Sequence, residues 1–216
     1  MKFLITAGPT REPIDPVRFL SNRSSGKMGY ALAEAARDRG HEVVLVSGPV
    51  ALPAPQGVER ISVETARQMF DVVQQQIVRC DVAIFSAAVA DYRPTQVRSQ
   101  KIKKDGDALV LKLEKTEDIL GHAREAFGFT GFLVGFAAET ENLVPHAQAK
   151  LHRKGCDLII ANDVSQSGIG FDADENAVSL CWADGRVETW ERQSKEVLAA
   201  KLLPPIEVGM AARLQR

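Results

Sequence analysis

The segment 21–29, Ser-Asn-Arg-Ser-Ser-Gly-Lys-Met-Gly, has the residues best suited to bind an anion. It leads into a helical pattern, where free backbone N–H groups and the positive end of the helix dipole favour a phosphate or a carboxylate. Helix capping would also account for Ser24 and Ser25, but it does not account for Asn22. The segment is not a Walker loop, because Met28 stands where Ser or Thr would hold magnesium, and it lacks the G-x-G-x-x-G fingerprint.

Small residues followed by a hydroxyl, an amide or a carboxylate come after most of the predicted strands. They occur at residues 6–10, 47–49, 86–91, 137–140 and 161–163. The carboxyl ends of parallel strands meet at one edge of a sheet, where small side chains let a ligand reach the backbone and polar ones can contact it. Turn formation would explain one such end, but five of them predict a ligand-binding cleft.

Two groups of cations could neutralise a polyphosphate at that cleft. Lys101, Lys103 and Lys104 lie within four residues of one another, and Lys150 and Lys154 are about one helical turn apart. Either group taken alone could simply be exposed surface charge. The chain has 27 basic and 28 acidic residues, a net charge of -1, so any basic binding surface must be local.

Short apolar runs that alternate with helical patterns must position these residues. They predict strands at 2–7, 42–47, 58–63, 81–86, 131–137 and 157–161 and helices at 26–39, 65–78, 117–127 and 143–154. Thr65 and Gln68 have the spacing of a capping box at the start of the second helix. The alternation predicts an α/β fold, Rossmann-like, in which a mostly parallel sheet has helices on both faces.

Two stretches interrupt this alternation. Residues 8–25 are longer than an ordinary connection from a strand to a helix. Residues 87–115 contain Asp105 and Gly106 ahead of alternating apolar residues, which predicts a β-hairpin that projects from the sheet as a flap. We call residues 92–115 the arm.

The carboxyl-terminal part of the sequence predicts a hairpin and a helix. Asp184 and Gly185 lie between two alternating segments, which is typical of a tight hairpin turn. The tail 194–215 has a helical pattern that we predict to be broken or kinked at Pro204 and Pro205.

The composition is that of one globular domain. The chain has 216 residues, of which 45% are hydrophobic and 25% charged, and this balance excludes a disordered or fibrous protein. No apolar run reaches the roughly 18 residues of a membrane span, and three cysteines without C-x-x-C spacing are typical of free thiols in a reducing compartment. We therefore predict a single domain over 1–216, located in the cytoplasm and bound to neither membrane nor nucleic acid.

The sequence contains no pattern for a protein nucleophile or a metal centre. It has neither a G-x-S-x-G elbow nor a paired histidine spacing, so no protein metal site is predicted. A bound polyphosphate would bring Mg²⁺ with it, held largely by its own oxygens. Spacing alone thus predicts a nucleotide- or phosphate-binding α/β enzyme without a protein nucleophile.

Six motifs, in this order, resemble those of one known family. They read ITAGPTREPIDPVR at 5–18, SNRSSGKMG at 21–29, AAVADY at 87–92, KIKK at 101–104, GFAAET at 135–140 and ANDVS at 161–165. On these motifs the chain is similar, over nearly its whole length, to bacterial phosphopantothenate–cysteine ligases, also called phosphopantothenoylcysteine synthetases.

The resemblance implies a reaction of coenzyme A biosynthesis. CTP, with Mg²⁺, would activate 4'-phosphopantothenate as an acyl-cytidylate, and L-cysteine would then give 4'-phosphopantothenoylcysteine, with CMP and pyrophosphate as the other products. It also implies a homodimer in which the arm reaches toward the partner's site, and a fusion in most bacteria to an amino-terminal flavin-dependent decarboxylase. Because Met1 directly precedes the first strand, we expect this chain to lack that half.

The matching motifs assign roles to individual residues by resemblance. Asn22 would bind the activated carboxyl group, Arg18 would help organise the same site, and Lys101 would act from the arm in the cysteine-dependent step. Nucleotide contacts would come from Ser86, Ala87, Asp91, Glu117, Asp118, Ile119, Leu120, Phe136, Lys150 and Lys154. Gly26, Lys27 and Gly29, in the anion-binding segment, remain the candidates for contact with the phosphate of the substrate. The family commonly has Asn-Pro-Asp-Ile at 116–119, where this chain has Thr-Glu-Asp-Ile.

Two other functions stay open on the sequence. A Rossmann-type nicotinamide oxidoreductase would share the fold, although the glycine fingerprint is missing and neither Tyr30 nor Tyr92 is followed by a lysine four residues later. A nucleotide-binding dimer without catalysis, serving as a sensor or a scaffold, would share the cleft. Binding of NAD(H) would favour the first, and CTP binding without pyrophosphate release would favour the second.

Overall fold

Strands and helices alternate along most of the chain, as the sequence predicts. The computed structural model describes residues 1–104, 106, 108–139, 141–163 and 173–214. The strands are β1 (Lys2–Ala7), β2 (Arg11–Pro13), β3 (Phe19–Ser21), β4 (Glu42–Ser47), β5 (Glu59–Ser62), β6 (Val82–Phe85), β7 (Tyr92–Pro94), β8 (Leu113–Lys115), β9 (Phe132–Glu139), β10 (Leu158–Asp163), β11 (Glu175–Trp182) and β12 (Val187–Ser194). The helices are α1 (Lys27–Asp38), α2 (Ala66–Ile77), α3 (Ile119–His122), α4 (Leu143–Lys154) and α5 (Lys195–Arg213).

The central sheet has the strand order of a dinucleotide-binding fold. Its eight strands follow the order β12-β11-β10-β9-β6-β1-β4-β5. The six strands from β10 to β5 are parallel, and β11 and β12 are antiparallel additions at one edge. Along the chain, the parallel strands follow the 3-2-1-4-5-6 order of Rossmann folds, which reverses direction between β1 and β6 and opens a crevice for a ligand there.

Two hydrophobic cores cover the two faces of the sheet. Alternate residues of β1 divide between them, since Phe3 and Ile5 pack with α1 and α5 whereas Leu4 packs with α2, α3 and α4. All three side chains are fully buried. The predicted α/β class, with a mostly parallel sheet and helices on both faces, is confirmed, and this frame holds the loops after the strands.

The predicted elements of the sheet form within two residues of their expected ends, as do the helices predicted at 26–39, 65–78 and 143–154. The capping box of α2 is also confirmed. Gln68 N donates to the Thr65 side chain, and Thr65 N donates to Gln68 Oε1 at 3.1 Å.

The helix predicted over 117–127 is wrong in length, because α3 ends after four residues and turns carry the chain to Gly128. The backbone leaves helical bonding at this point, since Ala123 N donates to Leu120 O at 3.2 Å and Phe127 N donates to His122 O at 2.9 Å. These turns bury Ala123 and Phe127 in the core.

Of the break or kink predicted at Pro204 and Pro205, the break is wrong, since α5 runs through both prolines. Leu202, Leu203 and Ile206 around them are fully buried against the sheet. This packing offsets the helix hydrogen bonds that two prolines cannot donate.

Three hairpins lie outside the parallel part of the sheet. The hairpin predicted at Asp184 and Gly185 is confirmed as β11 and β12, and the long connection 8–25 contains an unpredicted hairpin, β2 and β3. No helix among the described residues has the length and the apolar character needed to cross a membrane.

Among the described residues of the arm, the paired strands lie at its base. β7 and β8 pair antiparallel over three residues each. The predicted hairpin is thus confirmed at residues 113–115, but the alternating strand does not begin at residue 109. Leu109 is 55% and Val110 is 90% exposed, so these apolar side chains have no core to pack on. The tight turn predicted at Asp105 and Gly106 falls partly outside the described residues.

Candidate functional site

A cleft of about 700 Å³ opens at the carboxyl ends of the parallel strands. It lies over the point between β1 and β6 where the strand order reverses. The first turn of α1 and the loop after β6 border it on one side, and the turn before α3 and helix α4 border it on the other. We call it the strand-end cleft.

Glycines let the first turn of α1 approach the end of β1. Gly26 caps the helix with a φ of 78°, a left-handed conformation that glycine adopts without strain. At Gly29, an added Cβ would lie 2.5 Å from Ala7 Cβ and 2.6 Å from Ser86 Oγ. Because both glycines line the cleft, the positive end of this helix lies close to any anion that binds there.

Asn22 is fastened to the loop after β6. Its Nδ2 donates to Val89 O at 2.9 Å and to Ala88 O at 3.4 Å. The loop is itself held against the end of β1, since Ala88 N donates to Gly8 O at 2.9 Å. The amide of Asn22 is therefore fixed over the crevice between β1 and β6, at the centre of the predicted site.

Lysines of α4 form the opposite wall of the strand-end cleft. Lys150 Nζ donates to Phe136 O at 2.7 Å, and Lys154 contacts the carboxylate of Asp118, which caps α3. Burial opposes ionisation of Asp118, but the hydrogen bonds from Lys154 and from the backbone of Gly121, with the charge of Lys154, together lower the pKa of this carboxyl below its usual value. The wall thus presents cations that are already oriented by partners.

Glu117 joins this wall to the base of the arm. Arg93 Nη1 donates to its two carboxylate oxygens at 3.1 and 3.0 Å, and Arg67 Nη1 lies 3.6 Å from Oε1. Burial would raise the pKa of Glu117, but hydrogen bonds and the charge of Arg93 lower it. Glu117 is therefore an ionised anchor for two arginines.

The strand-end cleft brings together every residue that was given a role by resemblance, except two, and it does not include Lys103 or Lys104. It is lined by Asn22, Gly26, Lys27, Gly29, Ser86, Ala87, Asp91, Glu117, Asp118, Ile119, Leu120, Phe136, Lys150 and Lys154. Arg18 and Lys101 are not among its lining residues. Arg18 Nη2 instead donates to Ile102 O at 2.8 Å, because this part of the arm lies against the loop before β3 rather than over the cleft.

Two buried polar residues of the cleft were not predicted from the sequence. Lys195, in the first turn of α5, is 3% exposed, and Asn176, at the start of β11, is 1% exposed. Asn176 Oδ1 has no hydrogen-bond partner in the described part of the chain. The signal that could have revealed Lys195 is its place directly after the cap residue Ser194, where a cation opposes the helix dipole.

The three thiols are unsuited to nucleophilic catalysis. Burial raises the pKa of Cys80 to about 11 and that of Cys156 to about 12, and it also raises the pKa of Cys181. Thiols with such values stay protonated at neutral pH.

Within the described ranges, no three His, Cys, Asp or Glu side chains are grouped closely enough to hold a metal ion. The cleft therefore offers positioning and charge rather than a nucleophile.

Known proteins resemble this chain in both sequence and fold. It is 50% identical over 202 residues to the coenzyme A biosynthesis bifunctional protein CoaBC of Vibrio parahaemolyticus and 49% identical over 210 residues to that of Escherichia coli. The two alignments cover 93% and 95% of this chain. They cover 50% and 51% of the two CoaBC proteins, so the chain spans about half the length of the curated relatives it matches.

A solved structure and a family model extend the match. The crystal structure of the C-terminal domain of a CoaBC protein is 43% identical in sequence and superposes with a TM-score of 0.84. The structural alignment covers 98% of this chain and 96% of that one. Residues 1–208 match the model of the DNA/pantothenate metabolism flavoprotein C-terminal domain. Because these matches take in the strand-end cleft and the frame beneath it, the chain belongs to the family of DNA/pantothenate metabolism flavoprotein C-terminal domains.

Proposed function

We propose that the chain catalyses the CTP-dependent ligation of 4'-phosphopantothenate and L-cysteine. The strand-end cleft carries the proposal, because Asn22 and the first turn of α1 face Lys150 and Lys154 across it. Its volume of about 700 Å³ lies within the range of small-molecule sites. Family membership and the coenzyme A biosynthesis role named for the relatives support the same reaction.

The reaction has two steps. In the first, a carboxylate oxygen of phosphopantothenate attacks the α-phosphorus of CTP, and the bond to pyrophosphate breaks, which gives an acyl-cytidylate. In the second, the neutral amine of cysteine attacks the acyl carbon, loses a proton and releases CMP. Both steps need orientation and neutralisation of charge more than a protein nucleophile.

Asn22 is the proposed donor to the reacting carboxyl group. Its Nδ2 has two hydrogens, and the bond to Ala88 O, at 3.4 Å, is longer than the bond to Val89 O, at 2.9 Å. Substrate can replace the longer bond while the shorter one keeps the amide oriented. The donor is thus in position before the reaction begins, which is the arrangement that stabilises developing charge.

The triphosphate of CTP is proposed to bind between the two walls of the cleft. Gly26, Lys27 and Gly29 bring the positive end of α1 to the cleft, where the ammonium group of Lys27 also contacts Asp174 at 2.5 Å. Lys150 and Lys154 supply further cations from α4. Ser86, Ala87 and Asp91, with residues 117–120 and Phe136, would contact the rest of the nucleotide. The preference for CTP follows from the family resemblance.

Magnesium is proposed to enter with the triphosphate. Two carboxylates on the same side of the cleft as α4 are already paired with cations, since Glu117 binds Arg93 and Asp118 binds Lys154. This donor set fits an ion held mainly by phosphate oxygens rather than by a cage of protein ligands. The ion would neutralise charge on the pyrophosphate as it leaves.

A homodimer is proposed because apolar side chains of the arm and of the β2–β3 hairpin are exposed. Val17 is 59%, Phe19 is 47% and Val110 is 90% exposed. A second copy that covers these residues would stabilise two hairpins that are marginal alone, and it would bring Arg18 and Lys101 to a cleft. We also propose that the protein acts in the cytoplasm and that it assembles with a decarboxylase domain.

Pyrophosphate release tests the proposed function. The purified chain with CTP, Mg²⁺ and phosphopantothenate should release pyrophosphate, and the release should stop when phosphopantothenate is omitted. Binding of CTP without this release would favour a non-catalytic nucleotide-binding dimer. Binding of NAD(H), with no release of pyrophosphate, would favour the oxidoreductase.

A further inference from the structure

A buried carboxylate in the loop before β3 is bonded to the arm. Asp15 is 3% exposed, and its Oδ1 accepts hydrogen bonds from Val17 N and Arg18 N, both at 2.9 Å. Its Oδ2 accepts from Arg18 Nε at 3.0 Å, from Arg18 Nη2 at 2.6 Å and from Ile102 N at 3.0 Å. One carboxylate thus receives bonds from its own loop and from a residue of the arm.

Both backbone groups of Ile102 are held by this pair. Its N–H donates to Asp15 Oδ2, and its carbonyl accepts from Arg18 Nη2 at 2.8 Å. A third bond, from Arg98 N to Ile14 O at 2.9 Å, fixes the chain four residues earlier. Contacts at two points along the backbone determine its direction as well as its position, and Lys101 lies between them.

The charge of Asp15 is stabilised where it lies. The hydrogen bonds from Arg18, followed by those from the backbone of Ile102, lower the pKa of this carboxyl far below its usual value against the cost of burial. Removal of that charge would take away the counter-ion of Arg18 and leave the N–H of Ile102 without its acceptor, which weakens the contact between the loop and the arm.

We infer that Asp15 is a positioning residue that, with Arg18, docks the arm through Ile102 and so fixes the place of Lys101. Because the side chain of Lys101 is long and flexible, its position depends on the fixed backbone that carries it. The docking stands on the geometry alone, whereas its effect on turnover rests on the function proposed above.

Hydrogen exchange of the peptide 98–104 tests the docking without reference to activity. Asp15→Asn keeps the shape of the side chain and the acceptor for Val17, but it places an N–H group opposite Ile102 N. We expect exchange in this peptide to become about tenfold faster or more, which corresponds to the loss of a hydrogen bond to a charged group.

The matched control is Glu12→Gln. Glu12, three residues before Asp15 in β2, is 2% exposed, and its Oε1 accepts from Ala66 N at 2.7 Å, so this carboxylate is bonded to the start of α2 and not to the peptide 98–104. This variant should leave exchange in 98–104 within about twofold of wild type. Equal exchange in wild type and Asp15→Asn, or equal acceleration in both variants, would overturn the inference.

A second variant covers the case in which Asp15→Asn does not fold. Ile102→Pro removes the N–H that Asp15 accepts and leaves the buried carboxylate in place. It should accelerate exchange at the remaining amides of 98–104 by a similar factor, and normal protection would count against the docking.

A double-mutant comparison tests whether Asp15 acts through Lys101. If it does, Asp15→Asn and Lys101→Ala each slow the cysteine-dependent step, and the double variant is no slower than Lys101→Ala. Effects that multiply would show that Asp15 acts by another route. If wild type releases no pyrophosphate, the proposed function fails, while the exchange experiment still decides the docking.

Discussion

The strand-end cleft and the arm are held in place by different kinds of contact. The cleft lies on β1, β6 and β9, whose side chains Ile5, Ile84 and Val134 are fully buried. The arm has three-residue strands at its base and is fastened further out by backbone bonds to Asp15 and Arg18. The group proposed for the first step is therefore preformed, whereas the group proposed for the second step depends on a few polar contacts.

The largest effect should come from the cleft itself. Asn22→Ala removes a donor that is already oriented, so the rate of pyrophosphate release should fall about 100-fold or more. Glu34→Ala, on the exposed face of α1, is the matched control and should keep the wild-type rate. A rate for Asn22→Ala within threefold of wild type would mean that the cleft does not depend on this amide.

A smaller and more selective effect is expected in the arm. Lys101→Ala should slow the cysteine-dependent step about tenfold or more and leave acyl-cytidylate formation within about threefold, because the first step takes place in the preformed cleft. Quench-flow measurement of both species separates the two rates. Lys112→Ala, exposed on the same arm, is the control, and an equal loss in both steps would remove the distinction between the two regions.

The rigidity of the cleft predicts a stability effect at Gly29. Gly29→Val would place a side chain against Ala7 and Ser86, and overpacking of this kind costs about 1–3 kcal/mol. Glu34→Val puts the same residue on the exposed face of the same helix and should change stability by about 0.5 kcal/mol or less. Urea unfolding measures both, and equal values would show that the first turn of α1 is not tightly packed.

The smallest effect is a pH dependence remote from both regions. Arg39, at 2.5 Å, and His41, at 2.8 Å, lower the pKa of Glu207 from 4.5 to about 2. A carboxyl with a lowered folded pKa stabilises the fold above its unfolded pKa and loses that contribution as the pH falls. The difference in unfolding free energy between wild type and Glu207→Gln should therefore shrink from pH 4.5 toward 2, and a constant difference would contradict the assignment.

The cleft could be predicted from the sequence because its residues follow strands. Parallel topology carries Ser86, Phe136 and Asn162 to one edge of the sheet whatever the details of packing. Local signals were equally sufficient at Thr65 and Gln68, whose bonds span three residues. Short-range rules and the strand order together account for most of the candidate site.

The arm could not be predicted in the same way because long-range contacts place it. The hydrogen bond from Ile102 N to Asp15 joins residues 87 apart in the chain. The sequence around neither residue has a local pattern that predicts this bond. Burial of Lys195 likewise depends on how the terminal helix meets the sheet. The proline pair at 204 and 205 shows the reverse case, in which tertiary packing overrides a strong local signal.

Mass spectrometry of the reaction without cysteine tests the central claim most directly. With CTP, Mg²⁺ and phosphopantothenate, the wild-type chain should form an acyl-cytidylate, and addition of cysteine should convert it to phosphopantothenoylcysteine and CMP. The absence of both the acyl-cytidylate and the cysteine adduct, in a protein that binds CTP, would contradict the account.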